Sequence, residues 1–210
     1  MQTNLAITPV ERMKPGFADA VHDAQSTFSS IMQAMARPGS IQSVSHLSAT
    51  PETMLKTTGA VLLTLADYDS PLWFDEAMTG DADVTNWTRF HTGAPLTKSR
   101  SKAAFAVVSQ LQDELEFSDF HQGEPEYPDR STTLIVQVDR LSNEKGWQLS
   151  GPGINESQQL EAAPLPTAFL SQWEHNRGLF PLGIDVILCA PDAIACLPRT
   201  VKIEETGSCM

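Results

Sequence analysis

A chain of 210 residues with 41% hydrophobic and 19% charged residues can bury one sizeable core, or at most two small ones, and is too apolar for wholesale disorder. Its formal net charge of −12 excludes an extended basic field, so neither nucleic acid nor an anionic membrane surface is an expected partner, while a local cationic pocket stays open. Met1 to Phe17 holds no apolar leader, and no run of about 18 apolar residues follows, which predicts a soluble, cytoplasmic protein. Three cysteines, Cys189, Cys196 and Cys209, form no CxxC and leave one odd, the pattern of reduced thiols.

In chain order, residues 1–16 read as an arm. Phe17, Val21, Ala24, Phe28, Ile31/Met32 and Met35 then fall in steps of three and four, which predicts a helix with one apolar stripe. Arg37-Pro38-Gly39 stops it, because the residue before proline avoids the helical region. Ile41 to Leu47 suits a short strand, and Thr50-Pro51-Glu52 reads as the start of a helix reaching Ala66. Leu72-Trp73-Phe74 is a short strand, Asp83 to Phe90 a short helix, and His91-Thr92-Gly93-Ala94-Pro95 a loop. Ala103 to Val108 has the length and lack of charge of a buried strand, and Asp113 to Phe120 suits a helical turn. After an acidic loop, Tyr127 to Ser131 is a turn. Thr132 to Val138 and Trp147 to Ser150, separated by the polar Ser142 to Gly146, predict a hairpin that ends at Gly151-Pro152-Gly153. Thr167 to Asn176 is a helix, while Ile184 to Cys189, Ala193 to Leu197 and Val201 to Glu204 are extended. The sum is an α/β fold, layered about one mixed sheet of about five to eight strands with helices on its faces. Residues 17–204 form a single domain, and 205–210 a tail.

Chemical motifs are sparse. There is no Walker loop and no nucleophile elbow, and Pro152 removes an N–H that a phosphate nest needs, so Gly151-Pro152-Gly153 is read as a structural turn. Histidines 22, 46, 91, 121 and 175 lack metal-ligand spacing, and no metal is expected. Cys189, inside an apolar strand, reads as an inert core thiol. The candidates for function are three arginines beside rigid punctuation: Arg37 before Pro38-Gly39, Arg130 after Pro128-Asp129, and Arg199 after Pro198. A turn fixes the guanidinium, and its fork suits phosphate or carboxylate. His91 is a weaker fourth anion-binding candidate. The competing account of each arginine is a pairing with one of the 26 carboxylates, or a helix C-terminus.

Six short stretches in order carry a resemblance: Ile31-Met32-Gln33-Ala34-Met35-Ala36-Arg37-Pro38-Gly39, Leu63-Thr64-Leu65-Ala66-Asp67, Phe90-His91-Thr92-Gly93-Ala94-Pro95-Leu96, Leu149-Ser150-Gly151-Pro152-Gly153-Ile154, Phe180-Pro181-Leu182-Gly183-Ile184-Asp185 and Leu197-Pro198-Arg199-Thr200. Together they resemble the PhnH family, the H subunit of the bacterial carbon–phosphorus lyase system of phosphonate breakdown. The resemblance implies a fold similar to the large domain of pyridoxal-phosphate-dependent transferases, without that cofactor. None of Lys14, Lys56, Lys98, Lys102, Lys145 or Lys202 stands in an evident Schiff-base setting. It further implies a homodimer that joins the G, I and J subunits in a core complex. That complex displaces adenine from ATP with a phosphonate, giving a ribose 1-phosphonate 5-triphosphate. A phosphonate or a ribose triphosphate is then the ligand such a chain would meet. Later radical cleavage falls to the J subunit's iron–sulfur cluster, which three scattered cysteines here would not hold. The resemblance carries over no catalytic residues. A free-standing small-molecule enzyme using His91 or Cys189, and a purely structural interaction subunit, are the alternatives.

Overall fold

The computed structural model describes residues 14–44 and 47–205. The arm up to residue 13, His46, Cys209 and the tail from residue 206 lie outside the described residues. Five helices are present among them: α1 (Ala20–Ala36), α2 (Lys56–Leu65), α3 (Glu76–Gly80), α4 (Ala82–Thr92) and α5 (Phe169–Gly178). The strands are β1 (Gln42–Ser43), β2 (Leu72–Phe74), β3 (Phe105–Val108), β4 (Thr133–Gln137), β5 (Arg140–Ser150), β6 (Gln158–Ala163), β7 (Asp185–Cys189), β8 (Ala193–Leu197) and β9 (Lys202–Glu205).

The central sheet has six strands in the order β1-β8-β7-β4-β3-β2. β2, β3, β4 and β7 run parallel to one another, β8 is antiparallel to β7, and β1 pairs antiparallel with β8 at the edge. The α/β class and the mixed sheet therefore match the sequence expectation. Alternation along each strand divides the side chains between two cores. Val107, Ile135, Ile187, Cys189, Ile194 and Cys196 face α1, α2 and α4. Ala106, Val108, Leu134, Val136, Val186, Leu188, Ala195 and Leu197 face α5 and a second sheet of three strands, β6-β5-β9. That second layer seats Phe169, Trp173, Leu149 and Leu160 against the central sheet, each fully buried. A buried aliphatic or aromatic side chain of this kind stabilises by about 1.5–3 kcal/mol.

Two sheets replace the single sheet expected from the sequence, and the expected hairpin does not form. β4 lies between β3 and β7 in the central sheet, whereas β5 pairs with β6 and β9 in the other. Leu134 to Gln137 is buried without interruption, the condition of an inner strand of a parallel sheet rather than of half a hairpin. The supposed reversal at Ser142 to Gly146 is an irregularity inside β5, where the register with β6 shifts between Ser142 and Trp147. Gly146 has φ +113°, and a Cβ there would stand 2.5 Å from the Leu160 carbonyl oxygen. The glycine marks a bulge, not a turn. β6 itself was not expected.

Helix boundaries differ in two places, and the buried face of one helix in a third. α2 starts at Lys56, because Thr50 Oγ1 donates to the Met54 carbonyl at 2.6 Å and closes a turn ahead of the helix. The helix start is held instead by Gln137, whose Oε1 accepts from the Leu55 N–H at 2.6 Å. His91 stands in the last turn of α4, which ends in the left-handed Gly93 at φ 70°, so the expected loop begins later. The apolar stripe of α1 is buried only in part: Ile31 lies in the core, and Phe17 and Met35 pack against it. Thr27, Ile31 and Ala34 pack inward, while Val21 (80% exposed), Phe28 (49%) and Met32 (50%) point outward. The small Thr27 and Ala34 let the helix backbone approach α2 and the sheet closely, which rotates the larger side chains away.

Candidate functional site

The chain crowds its rigid loops at the end of the central sheet where β4 and β7 begin and β8 finishes. Thr133 pairs with Asp185, and Val186 with Leu197, so the loops entering β4 and β7 and the loop leaving β8 meet there. Arg199, two residues beyond β8, ties them together. Its Nε donates to Asp185 Oδ1 at 3.1 Å, and Nη2 donates to Asp185 Oδ2 and Ser131 Oγ, both at 2.5 Å. Nη1 donates to the carbonyls of Pro128 at 2.9 Å and Pro181 at 3.2 Å. A guanidinium has five N–H donors, and each of these is engaged inside the protein. The Arg199 side chain is only 12% exposed. It is a structural clamp with no donor left over for an anion.

The same end receives the C-terminus of α1. Arg37 caps that helix, its N–H donating to the Gln33 carbonyl at 2.9 Å. Its side chain is exposed and makes no ion pair or hydrogen bond among the described residues. The Gly151-Pro152-Gly153 turn is wedged between the two arginine segments. Gly153 has φ +82°, and a Cβ there would lie 2.2 Å from the Ala36 carbonyl oxygen. A Cβ on Gly151 would lie 3.2 Å from the Thr200 carbonyl oxygen. Glycine is thus needed for the close approach as well as for the backbone conformation. Asn143 Nδ2 donates to the Gly39 carbonyl at 2.9 Å and fixes the segment after Arg37 from the other side.

Arg130 belongs to the short 3-10 turn Pro128–Arg130, whose first carbonyl accepts from Arg199. Its guanidinium carbon sits 4.0 Å from the centroid of the Tyr127 ring, a cation–π contact, and it forms no ion pair among the described residues. The three arginines therefore share one end of the sheet. His91 does not join them. Its Nε2 lies 3.1 Å from the Lys14 carbonyl, and its ring packs 4.8 Å from Trp87 and 5.0 Å from Phe90. It touches the backbone near Gly16, ahead of α1, while Arg37 follows that helix. Seventeen residues of helix put about 25 Å between the two.

A cleft of ≈ 240 Å³ opens at the other end of the parallel strands, and nothing in the sequence had marked it. Leu55, Ser109, Gln137, Asp139, Pro164 and Pro191 help to line it. Two of its polar side chains are engaged: Ser109 Oγ donates to Asp75 Oδ2 at 2.6 Å, and Gln137 binds the backbone of Leu55 and Thr53. Among the described residues the lining includes the Asp139 carboxylate and no cation. That chemistry does not suit a triphosphate.

Cys189 and Cys196 are fully buried, and burial pushes the Cys189 thiol up to about 12. Burial also raises Cys196, with further unfavourable interaction from Cys189 and Asp185. Neither is a nucleophile at neutral pH. Among the described residues no group of three or more His, Cys, Asp and Glu side chains could hold a metal ion, and no helix is long and apolar enough to cross a membrane.

Comparison with known proteins supplies what geometry alone does not. The chain is 42% identical over 188 residues to a Rhizobium meliloti (strain 1021) protein named alpha-D-ribose 1-methylphosphonate 5-triphosphate synthase subunit PhnH, covering 90% of this chain and 94% of the relative. It is 33% identical over 86 residues, 41% of this chain and 44% of the relative, to the putative C-P lyase subunit protein HtxG of Stutzerimonas stutzeri. Residues 15–204 match the family described as bacterial phosphonate metabolism protein (PhnH). The chain belongs to the PhnH family.

Proposed function

We propose that this protein is a subunit of the carbon–phosphorus lyase core complex and supports transfer of a phosphonate onto the ribose of ATP. In that reaction a phosphonate oxygen forms a bond to the ribose anomeric carbon, the carbon–nitrogen bond to adenine breaks, and the triphosphate stays in place. The observation that carries the reading is the similarity, over nearly the whole length of both chains, to a relative named as a subunit of such a synthase. A subunit role also suits a chain whose described thiols are buried and whose cleft lacks a cation.

Within that reading Arg37 is the side chain we assign to anionic substrate. It is exposed, unpaired among the described residues, and fixed by Pro38, Gly39 and the wedged Gly153. Arg130 is half committed to Tyr127 and is the second candidate. Arg199 positions the loops. A rigid guanidinium matters here because a net charge of −12 repels a triphosphate at long range, so local cations must overcome that field. The wider reading takes residues 17–204 as one domain, similar in fold to the pyridoxal-phosphate-dependent transferases without the cofactor. The protein acts in the cytoplasm as a homodimer alongside the G, I and J subunits. A specific homodimer would bury roughly 1,200–2,000 Å² in total. A purely organising role is the second reading, favoured by the internal use of every Arg199 donor.

Reconstitution decides. Adenine release from ATP and methylphosphonate is measured with the G, I and J subunits, with and without this chain, and with this chain alone. The expected result is release only from the full set. Release by the isolated chain, or undiminished release without it, contradicts the proposal.

A further inference from the structure

The loops clamped by Arg199 present two large aromatic side chains to solvent. Phe180 is 61% exposed and Tyr127 is 48% exposed. Their neighbours Pro181 and Pro128 both offer their carbonyls to the same Arg199 nitrogen, so the two loops lie side by side. A guanidinium shielded from water is held by five hydrogen bonds, and what it fixes is a surface of exposed rings. Arg130 lies over Tyr127 and has no carboxylate partner among the described residues, in a chain with 26 Asp and Glu.

We infer that Tyr127, Arg130 and Phe180 form a preorganised docking surface for another protein subunit, one that offers an apolar socket to Phe180 and a carboxylate to Arg130. This rests on the reading that the chain works inside a multi-subunit complex. Aromatic residues and arginine are the types that dominate binding at the centres of interfaces. Holding them rigid beforehand lowers the entropy lost on docking. A small-molecule ligand is the weaker match, since such a ligand is mostly enclosed when bound, and these rings stand about half or more in solvent.

Charge favours an unlike partner over a second copy. The segment that carries Arg130 also carries the exposed Glu124, Glu126 and Asp129, three carboxylates against one guanidinium. Two such surfaces face to face would repel, and each chain also carries a net charge of −12. The partner therefore surrounds its apolar socket with basic side chains opposite these carboxylates.

The test uses the full chain with the G, I and J subunits, and measures its affinity for the assembled partners by titration at two salt concentrations. Phe180→Asp and Arg130→Glu are compared with Val21→Asp, which alters the separate exposed stripe of α1. The result expected is at least a tenfold loss of affinity for each of the first two, with the thermal midpoint unchanged, and wild-type affinity for the third. Amide exchange provides a second measurement without substitution: residues 124–130 and 178–182 become protected on assembly. Wild-type assembly undisturbed by Phe180→Asp and Arg130→Glu overturns the inference and leaves the proposed function standing. A loss confined to Val21→Asp moves the docking surface to α1 and also overturns it. Conversion of a homodimer to monomer by Phe180→Asp alone assigns the surface to a second copy, again against the inference. Failure of the wild-type chain to join the other subunits removes the proposed function, and this inference with it.

Discussion

The two ends of the central sheet are built on opposite principles. Where β3, β4 and β7 finish, a cleft of ≈ 240 Å³ is lined by Gln137, which binds the backbone of Leu55 and Thr53, and by Ser109, which binds the Asp75 carboxylate. Where β4 and β7 begin, loops are clamped tightly, yet Arg37 remains exposed and, among the described residues, unpaired. A hollow alone does not identify a site for a highly charged ligand. What counts is uncommitted charge held on rigid backbone, and in this molecule the hollow and that charge lie at different ends.

Removing the clamp should produce the largest effect on the fold. Arg199→Ala leaves Asp185 without its guanidinium and frees the carbonyls of Pro128 and Pro181. Breaking a largely buried pair of this kind costs about 3 kcal/mol, a fall of on the order of 10 °C in the thermal midpoint. Calorimetry showing an unchanged midpoint would mean that the loops hold together without Arg199. Gly153→Ala comes next. Its Cβ meets the Ala36 carbonyl and its φ is positive, so a loss of about 2 kcal/mol is expected in chemical denaturation. Because the turn also seats Arg37, activity of the assembled complex should fall further than stability does. A neutral Gly153→Ala would contradict the wedge between the two arginine segments.

These contacts show how far the sequence can be read. The helix stop at Arg37-Pro38-Gly39 and the strands at Leu72–Phe74 and Ala193–Leu197 were legible because proline, glycine and unbroken apolar runs act locally. The clamp was not. Arg199 reaches partners 71, 68, 18 and 14 residues away, and no local spacing encodes such a convergence. The resemblance motifs had singled out Ala36 to Gly39, Gly151 to Gly153 and Pro198 to Thr200, yet only the fold places them together. The mistaken hairpin had a readable warning in the unalternating Thr132 to Val138, which marks a strand buried on both faces. The outward turn of Val21, Phe28 and Met32 had none, since they share their periodicity with the buried Ile31.

A smaller effect tests the region between α3 and α4. Asp81 caps α4, accepts from Thr53 Oγ1 at 2.6 Å, and is held below the ordinary carboxylate range, chiefly by that bond. A carboxyl depressed in the folded state stabilises above its unfolded value and loses that contribution as pH falls through the folded one. Asp81→Ala should therefore cost about 1 kcal/mol at neutral pH and progressively less below about pH 4. A penalty that is the same at pH 7 and pH 3 would assign the cost to packing. The smallest signal expected is thiol reactivity. In the native protein Cys189 and Cys196 should resist alkylation at pH 8 and react only after denaturation, as their burial requires. Rapid native labelling of Cys189 would reopen a nucleophilic role.

Whether Arg37 meets anionic substrate is decided by the kinetics of the reconstituted complex. Adenine release is followed as ATP and methylphosphonate are varied, for wild type, Arg37→Ala and Arg37→Lys. The account predicts that Arg37→Ala lowers kcat/KM by roughly tenfold to a hundredfold, the scale of losing one charge-assisted contact of about 1.5–3 kcal/mol. The thermal midpoint should stay within about 4 °C of wild type, because only a helix-end charge worth about 0.3–1 kcal/mol is lost from the fold. Arg37→Lys should recover part of the rate, as charge returns without the fork. Full activity with Arg37→Ala in a correctly assembled complex would contradict the account.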